Sequence, residues 1–95
     1  MATYGRFPVV FERGQGVYLW DTDGRRYLDF LAGIAVNGVG HCHPKVVEAV
    51  QRQCAKLMHV SNLYLIEQQA ALAQALCGLC GMEKAFLANS GAEAK

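Results

Sequence analysis

The chain has 95 residues, 53% of them hydrophobic and 18% charged, with a formal net charge of +1. That composition excludes a disordered polypeptide, and the near-zero charge excludes a general electrostatic attraction to nucleic acid or anionic membrane. The longest apolar stretch, residues 30–36, is too short to span a bilayer, and the first residues lack the basic-then-apolar build of a signal peptide, so a cytosolic (cytoplasmic) location is expected.

In chain order, residues 9–11 and 17–20 are rich in β-branched and aromatic side chains, and Gly14-Gln15-Gly16 punctuates them. They are predicted to form a hairpin. Asp21-Thr22-Asp23-Gly24 reads as a tight turn. A calcium loop is the sharper alternative for Asp21 and Asp23, but the glycine comes too early and later ligands are missing. Residues 25–30 supply a third strand, which completes a small antiparallel meander. Gly33, Gly38 and Gly40 mark an irregular connection, and the Gly38-x-Gly40 pair is not a dinucleotide fingerprint because position 43 is His.

Pro44 suits the first position of a helix, where its missing N–H costs nothing. From there Val46, Val47, Val50, Cys54, Leu57 and Met58 recur at helical spacing, opposite Lys45, Glu48, Arg52 and Lys56. His41 and His43 flank this helix start and read as imidazoles making local hydrogen bonds. With no carboxylate or nucleophile nearby in sequence, neither is a catalytic candidate. A second helix is predicted over residues 66–79, with Leu65, Leu72, Leu76 and Leu79 as its apolar stripe and Gly81 as its stop. Ser61-Asn62-Leu63-Tyr64 forms a polar-aromatic loop between the helices. Residues 84–88 are predicted to be a strand of a mixed or parallel sheet.

The four cysteines are Cys42, Cys54, Cys77 and Cys80. Without an export signal, disulfides are not expected. Only Cys77 and Cys80 have zinc-ligand spacing, with His41-Cys42-His43 as a conceivable second half. The pair lies at the far end of a helical pattern, where the helix dipole disfavours a thiolate. The cysteines are therefore read as small buried or half-buried thiols, and no metal site is expected.

The last residues carry the most chemistry. Ser90-Gly91-Ala92-Glu93 has the S-x-x-E form of a capping box. A strand running into a helix through Ser-Gly suits an anion, because first-turn N–H groups point outward and the helix dipole favours negative charge. On spacing alone an ordinary capped helix with no ligand is the favoured reading, because S-x-x-E is common, and Glu93 is read as structural because a carboxylate aimed at a phosphate would repel it. This helix has one turn before the chain ends, below the length at which helices hold together alone. The 84–88 strand has no evident parallel partner, so the sequence is expected to be a truncation.

Read together, the motifs are more specific than any one of them. Tyr4-Gly5-Arg6-Phe7-Pro8-Val9, Gly16-Val17-Tyr18-Leu19-Trp20-Asp21 and Asp23-Gly24-Arg25-Arg26-Tyr27-Leu28-Asp29-Phe30 come first. Ala32-Gly33-Ile34-Ala35-Val36, Gly40-His41-Cys42-His43-Pro44, Ser61-Asn62-Leu63-Tyr64 and Asn89-Ser90-Gly91-Ala92-Glu93-Ala94 follow. In this order, across essentially the whole chain, the sequence resembles the start of a class III pyridoxal-phosphate aminotransferase. The resemblance implies an α/β fold, the N-terminal fragment of a fold-type-I pyridoxal-phosphate-dependent transferase. Residues 1–60 would be a small-domain segment and residues 61–95 the beginning of the cofactor-binding large domain. It also implies pyridoxal 5'-phosphate as cofactor and a homodimer. Ser90, Gly91 and Ala92 would contact the cofactor phosphate, and Tyr4, Ile34 and Asn62 would lie toward the substrate.

Within the family the likeness is greatest to members that move an amino group from N-acetylornithine to 2-oxoglutarate in arginine biosynthesis. Ornithine-specific relatives carry a Tyr at the place of Ile34. A Tyr hydroxyl there could hold a free amino-acid end, whereas Ile34 offers no donor and favours an acylated substrate. The family's Schiff-base Lys, its pyridine-binding Asp and its carboxylate-binding Arg are expected beyond residue 95, and Lys95 reads as a solvent-facing helix lysine. Alternatives are a relative acting on succinyl-diaminopimelate or ornithine, a racemase or aminomutase on the same fold, and a small zinc or interaction module built on the cysteines.

Overall fold

The computed structural model describes residues 3–94. They form two compact units, Met1–Met58 and His59–Lys95.

The first unit opens with an antiparallel meander of β1 (Phe11–Gln15), β2 (Tyr18–Asp21) and β3 (Arg26–Leu28), in spatial order β1-β2-β3. The first strand lies later than the apolar run predicts. Its paired part contains Arg13, Gly14 and Gln15, opposite Trp20, Leu19 and Tyr18, with an irregularity between Phe11 and Arg13. Cross-strand contacts explain the choice. The register aligns Arg13, Trp20 and Arg26. The Arg13 guanidinium lies 3.6 Å from the Trp20 ring centroid, and that of Arg26 lies 4.6 Å from Tyr18. Both are cation–π contacts. Leu19 pairs with Tyr27, whose ring meets Phe11 edge-on at 5.3 Å.

The β2–β3 turn is built around Asp21, the one residue buried among those described. Its Oδ1 accepts the backbone N–H groups of Asp23 and Arg25 at 3.0 and 2.8 Å, and its Oδ2 accepts the Tyr27 hydroxyl at 2.7 Å. This carboxylate closes its own turn. Burial pushes the Asp21 carboxyl up, but the Tyr27 hydroxyl and the two N–H donors outweigh it, so it titrates below its ordinary value. The same bond, with burial, raises the Tyr27 hydroxyl above its ordinary value.

The glycine-marked connection contains a helical turn, Ala32–Ala35, of the wrong hand. Ala32, Gly33, Ile34 and Ala35 have φ of 49°, 65°, 61° and 63°. Left-handed backbone costs about 1–2 kcal/mol for each residue with a Cβ, and only Gly33 escapes that cost. The turn therefore needs external support. Helix α1 (Pro44–Lys56) follows, with Pro44 in its first turn. It ends where the Leu57 N–H donates to Gln53 O and the Gln53 amide donates to Leu57 O.

In the second unit, α2 (Glu67–Cys80) stops at Gly81, which is left-handed with φ 70° and donates to Cys77 O. Residues 84–88 are not a strand here. A strand exists by pairing, and none of the described residues supplies a partner. No hydrophobic residue is buried among those described. The apolar stripes of both helices, including Val46, Val50, Leu72 and Leu79, face outward. Among the described residues no helix is long and apolar enough to cross a membrane.

Candidate functional site

The Ser90–Glu93 segment is a turn rather than the start of a helix. The Glu93 N–H donates to Ser90 O at 3.1 Å. Glu93 Oε2 accepts the N–H groups of Asn89 and Ser90 at 2.8 and 3.2 Å. This is half of a capping box, with the glutamate reaching back and the serine hydroxyl not reaching forward. As a result Ser90 Oγ and the N–H groups of Gly91 and Ala92 have no hydrogen-bond partner among the described residues.

A Cβ at Gly91 would meet nothing within 4 Å, so the turn is open to an approaching group. Three donors on one open turn, with the nearby carboxylate already engaged by backbone, suit a phosphate dianion.

Asn62 lines an open concavity of about 460 Å³ with Leu65, Ile66, Ala70, Phe86 and Leu87. Ser90, Gly91 and Ala92 are not among its lining residues. Asn62 and the phosphate-type turn belong to the second unit, whereas Tyr4 and Ile34 belong to the first. Tyr4 is exposed, and Ile34 is 82% exposed on the left-handed turn. Lys95 lies outside the described residues. Cys77 is half-buried, and Cys80 Sγ donates to Leu76 O at 2.8 Å. Cys42, Cys54 and Cys80 are exposed rather than buried, because the helix faces that carry apolar residues are themselves uncovered. Among the described residues no cluster of three or more His, Cys, Asp or Glu is arranged to hold a metal.

Sequence reasoning left His41 without a carboxylate; the fold supplies one. His41 Nε2 lies 2.6 Å from Asp29 Oδ2. A carboxylate with no proton only accepts, so Nε2 carries the hydrogen. The His41 hydrogen bond, joined by backbone donors, holds the Asp29 carboxyl below its ordinary value against the opposing effect of burial. Those donors are the N–H groups of Leu31 and Ala32, which Asp29 Oδ1 accepts at 3.0 and 2.9 Å. The Asp29 side chain is 8% exposed and that of His41 19%. Both line a second open concavity, of about 500 Å³, with Gly16, Ala32, Asn37 and Gly40. No local pattern announces this pair, because twelve residues separate its members.

The sequence matches the aminotransferase class-III family across residues 1–95. It is 58% identical over 94 residues to the acetylornithine aminotransferase of Nitrosomonas europaea, covering 99% of this chain and 24% of that protein. It is 57% identical to the acetylornithine aminotransferase of Methanocaldococcus jannaschii over 91 residues, covering 96% of this chain and 23% of that protein. The chain thus spans about a quarter of the length of these curated relatives. Among solved structures, acetylornithine aminotransferase from Elizabethkingia anophelis superposes with a TM-score of 0.93 at 39% identity, covering 99% of this chain and 24% of that one. Plasmodium falciparum ornithine delta-aminotransferase superposes with a TM-score of 0.92 at 36% identity, covering 99% of this chain and 25% of that one. These likenesses extend over both units and the motifs that define them: the chain belongs to the class III aminotransferase family.

Proposed function

We propose that this chain is the N-terminal segment of a pyridoxal-phosphate-dependent aminotransferase acting on N-acetylornithine. The whole enzyme would pass the amino group to 2-oxoglutarate, giving N-acetylglutamate semialdehyde and glutamate for arginine biosynthesis, and would work as a homodimer in the cytoplasm. The observation that carries this reading is the identity to curated relatives bearing the acetylornithine name, 58% and 57% over nearly the whole chain.

Ser90 Oγ and the N–H groups of Gly91 and Ala92 are the groups that would hold the cofactor phosphate, and they are the donors left without partners on an open turn. Glu93 keeps its charge on the backbone of Asn89 and Ser90, away from competition for those donors. Residues 61–95 would open the cofactor-binding domain and residues 1–60 the smaller one. The bound cofactor supplies an electron sink for bond breaking at the amino carbon. Ile34, with no donor to offer, would meet the acylated end of the substrate, and Tyr4 and Asn62 would each be substrate-facing residues of their own unit. A carbonyl or methyl of an acyl group tolerates an apolar neighbour, whereas a free ammonium or carboxylate left unpaired there is penalised.

The test is turnover by the full-length enzyme of N-acetylornithine, ornithine and succinyl-diaminopimelate against 2-oxoglutarate. N-acetylornithine is expected to have the highest kcat/KM. Equal turnover of ornithine, or a preference for it, overturns the reading.

A further inference from the structure

We infer that Asp29 and His41 are positioning residues that set the preference for an acylated amino donor by holding the left-handed turn on which Ile34 stands. The inference rests on the substrate reading above and adds to it the support that makes Ile34 effective. The turn's φ values at Ala32, Ile34 and Ala35 are all unfavourable for residues with a Cβ. Its own bonds, Ala35 N to Leu31 O, Val36 N to Ala32 O and Asn37 N to Ala32 O, exist only once that backbone is in place.

What holds the entry to the turn is one carboxylate. Asp29 Oδ1 accepts from Leu31 and Ala32, and Asp29 Oδ2 accepts from His41. His41 is in turn fixed to the hairpin. Its backbone exchanges two hydrogen bonds with Gly16, at 2.9 and 2.8 Å. Its ring lies so close to Gly14 that a Cβ there would come within 2.6 Å of the imidazole Cγ. The turn therefore hangs from the meander through Asp29 and His41, with Ile34 at its exposed tip. If the carboxylate is lost, the backbone is free to relax toward right-handed φ, and Ile34 leaves its position.

The test uses the full-length holoenzyme and compares kcat and KM for N-acetylornithine and ornithine. Asp29→Ala is expected to lower KM for ornithine about tenfold, because the apolar neighbour that penalises its free end is displaced, with kcat within about twofold. KM for N-acetylornithine, whose acyl group only tolerates Ile34, stays within about twofold, so discrimination falls about tenfold. Asp29→Asn keeps an oxygen acceptor for both N–H groups and should recover most of the discrimination, whereas Asp29→Leu, which fills the volume without an acceptor, should lose it as Asp29→Ala does. If Asp29→Ala does not fold, His41→Gln decides by the same ratio, and its discrimination is expected to fall.

Asp21→Asn serves as the control, because Asp21 closes a different turn with a similar network. It should lower the denaturant midpoint and leave discrimination unchanged. Unchanged discrimination in Asp29→Ala or His41→Gln, or an equal change in Asp21→Asn, overturns the inference. A wild-type preference for ornithine instead overturns the substrate reading, and the variants then show whether the pair controls the preference that exists.

Discussion

Gly14→Ala is the sharpest test of how the first unit is put together. Gly14 lies inside β1, paired with Leu19, and its φ is outside the left-handed region. On backbone grounds alone, alanine should stabilise the protein by about 0.4–1 kcal/mol, chiefly by restricting the unfolded chain. The structure reverses that sign. The new Cβ would lie 2.6 Å from His41 Cγ and 2.8 Å from His41 Cβ, whereas carbon atoms settle at about 3.5–4.0 Å. The ring must therefore retreat by about 1 Å.

His41 cannot retreat freely, because its backbone is bonded to Gly16 in both directions. The ring is also held by its 2.6 Å contact with Asp29, and the hydrogen-bonding range ends at about 3.2 Å, which leaves less slack than that movement. Overpacking of this kind costs about 1–3 kcal/mol, so the net change is a loss of about 1–2 kcal/mol. The assay is the urea midpoint of the full-length enzyme, with an unchanged slope as the condition for reading it as stability. A double-mutant cycle isolates the cause. In a His41→Gly background, which removes both the ring and the Cβ that the new methyl would meet, the clash is gone, and Gly14→Ala should become neutral or stabilising. If Gly14→Ala already matches or exceeds wild type in the native background, the contact between Gly14 and His41 does not have the importance given to it.

Three further outcomes are expected. Asp21 and Asp29 both titrate below their ordinary value, so each contributes stability that is present above the ordinary aspartate range and is lost as pH falls through the lowered value. Tyr27 titrates above its ordinary value, so its contribution is present below that value and is lost as pH rises through the raised one. Denaturation midpoints across pH should fall less steeply in acid for Asp29→Asn, and less steeply in alkali for Tyr27→Phe; parallel curves for variant and wild type would contradict this. Ser90→Ala removes one donor to a charged group and should weaken pyridoxal-phosphate binding by about 1.5–3 kcal/mol, roughly 10- to 100-fold, as followed by absorbance titration of the apoenzyme; unchanged affinity would remove Ser90 from the phosphate site. The 95-residue chain by itself, with no hydrophobic residue buried among those described, should be inactive and should not bind pyridoxal phosphate tightly; fluorescence titration showing tight binding would refute this.

Much was legible in the sequence because it depends on neighbours along the chain. Pro44 and the spacing of Val46, Val47 and Val50 mark α1, and Gly81 marks the end of α2 within a residue, since helix signals repeat every three or four positions. Asp21-Thr22-Asp23-Gly24 announces its turn because the aspartate bonds to N–H groups two and four residues on. The ordered motifs, from Tyr4-Gly5-Arg6 to Ser90-Gly91-Ala92, carry the family by themselves.

Whatever depends on distant residues was decided only by the tertiary structure. Gly14 reads as hairpin punctuation, yet it is a paired strand residue whose missing Cβ makes room for the His41 ring. The 84–88 segment has a strand's composition but not a strand's partner, and pairing is not a property of one segment. His41 and Asp29 are twelve residues apart in sequence and 2.6 Å apart in space. The left-handed turn at Ala32–Ala35 runs against the preference of three of its four residues. Local chemistry, read along the chain, shows the helices and the turn that Asp21 closes. Conformations that local preference opposes exist only because contacts from elsewhere hold them, and no pattern of neighbours records those contacts.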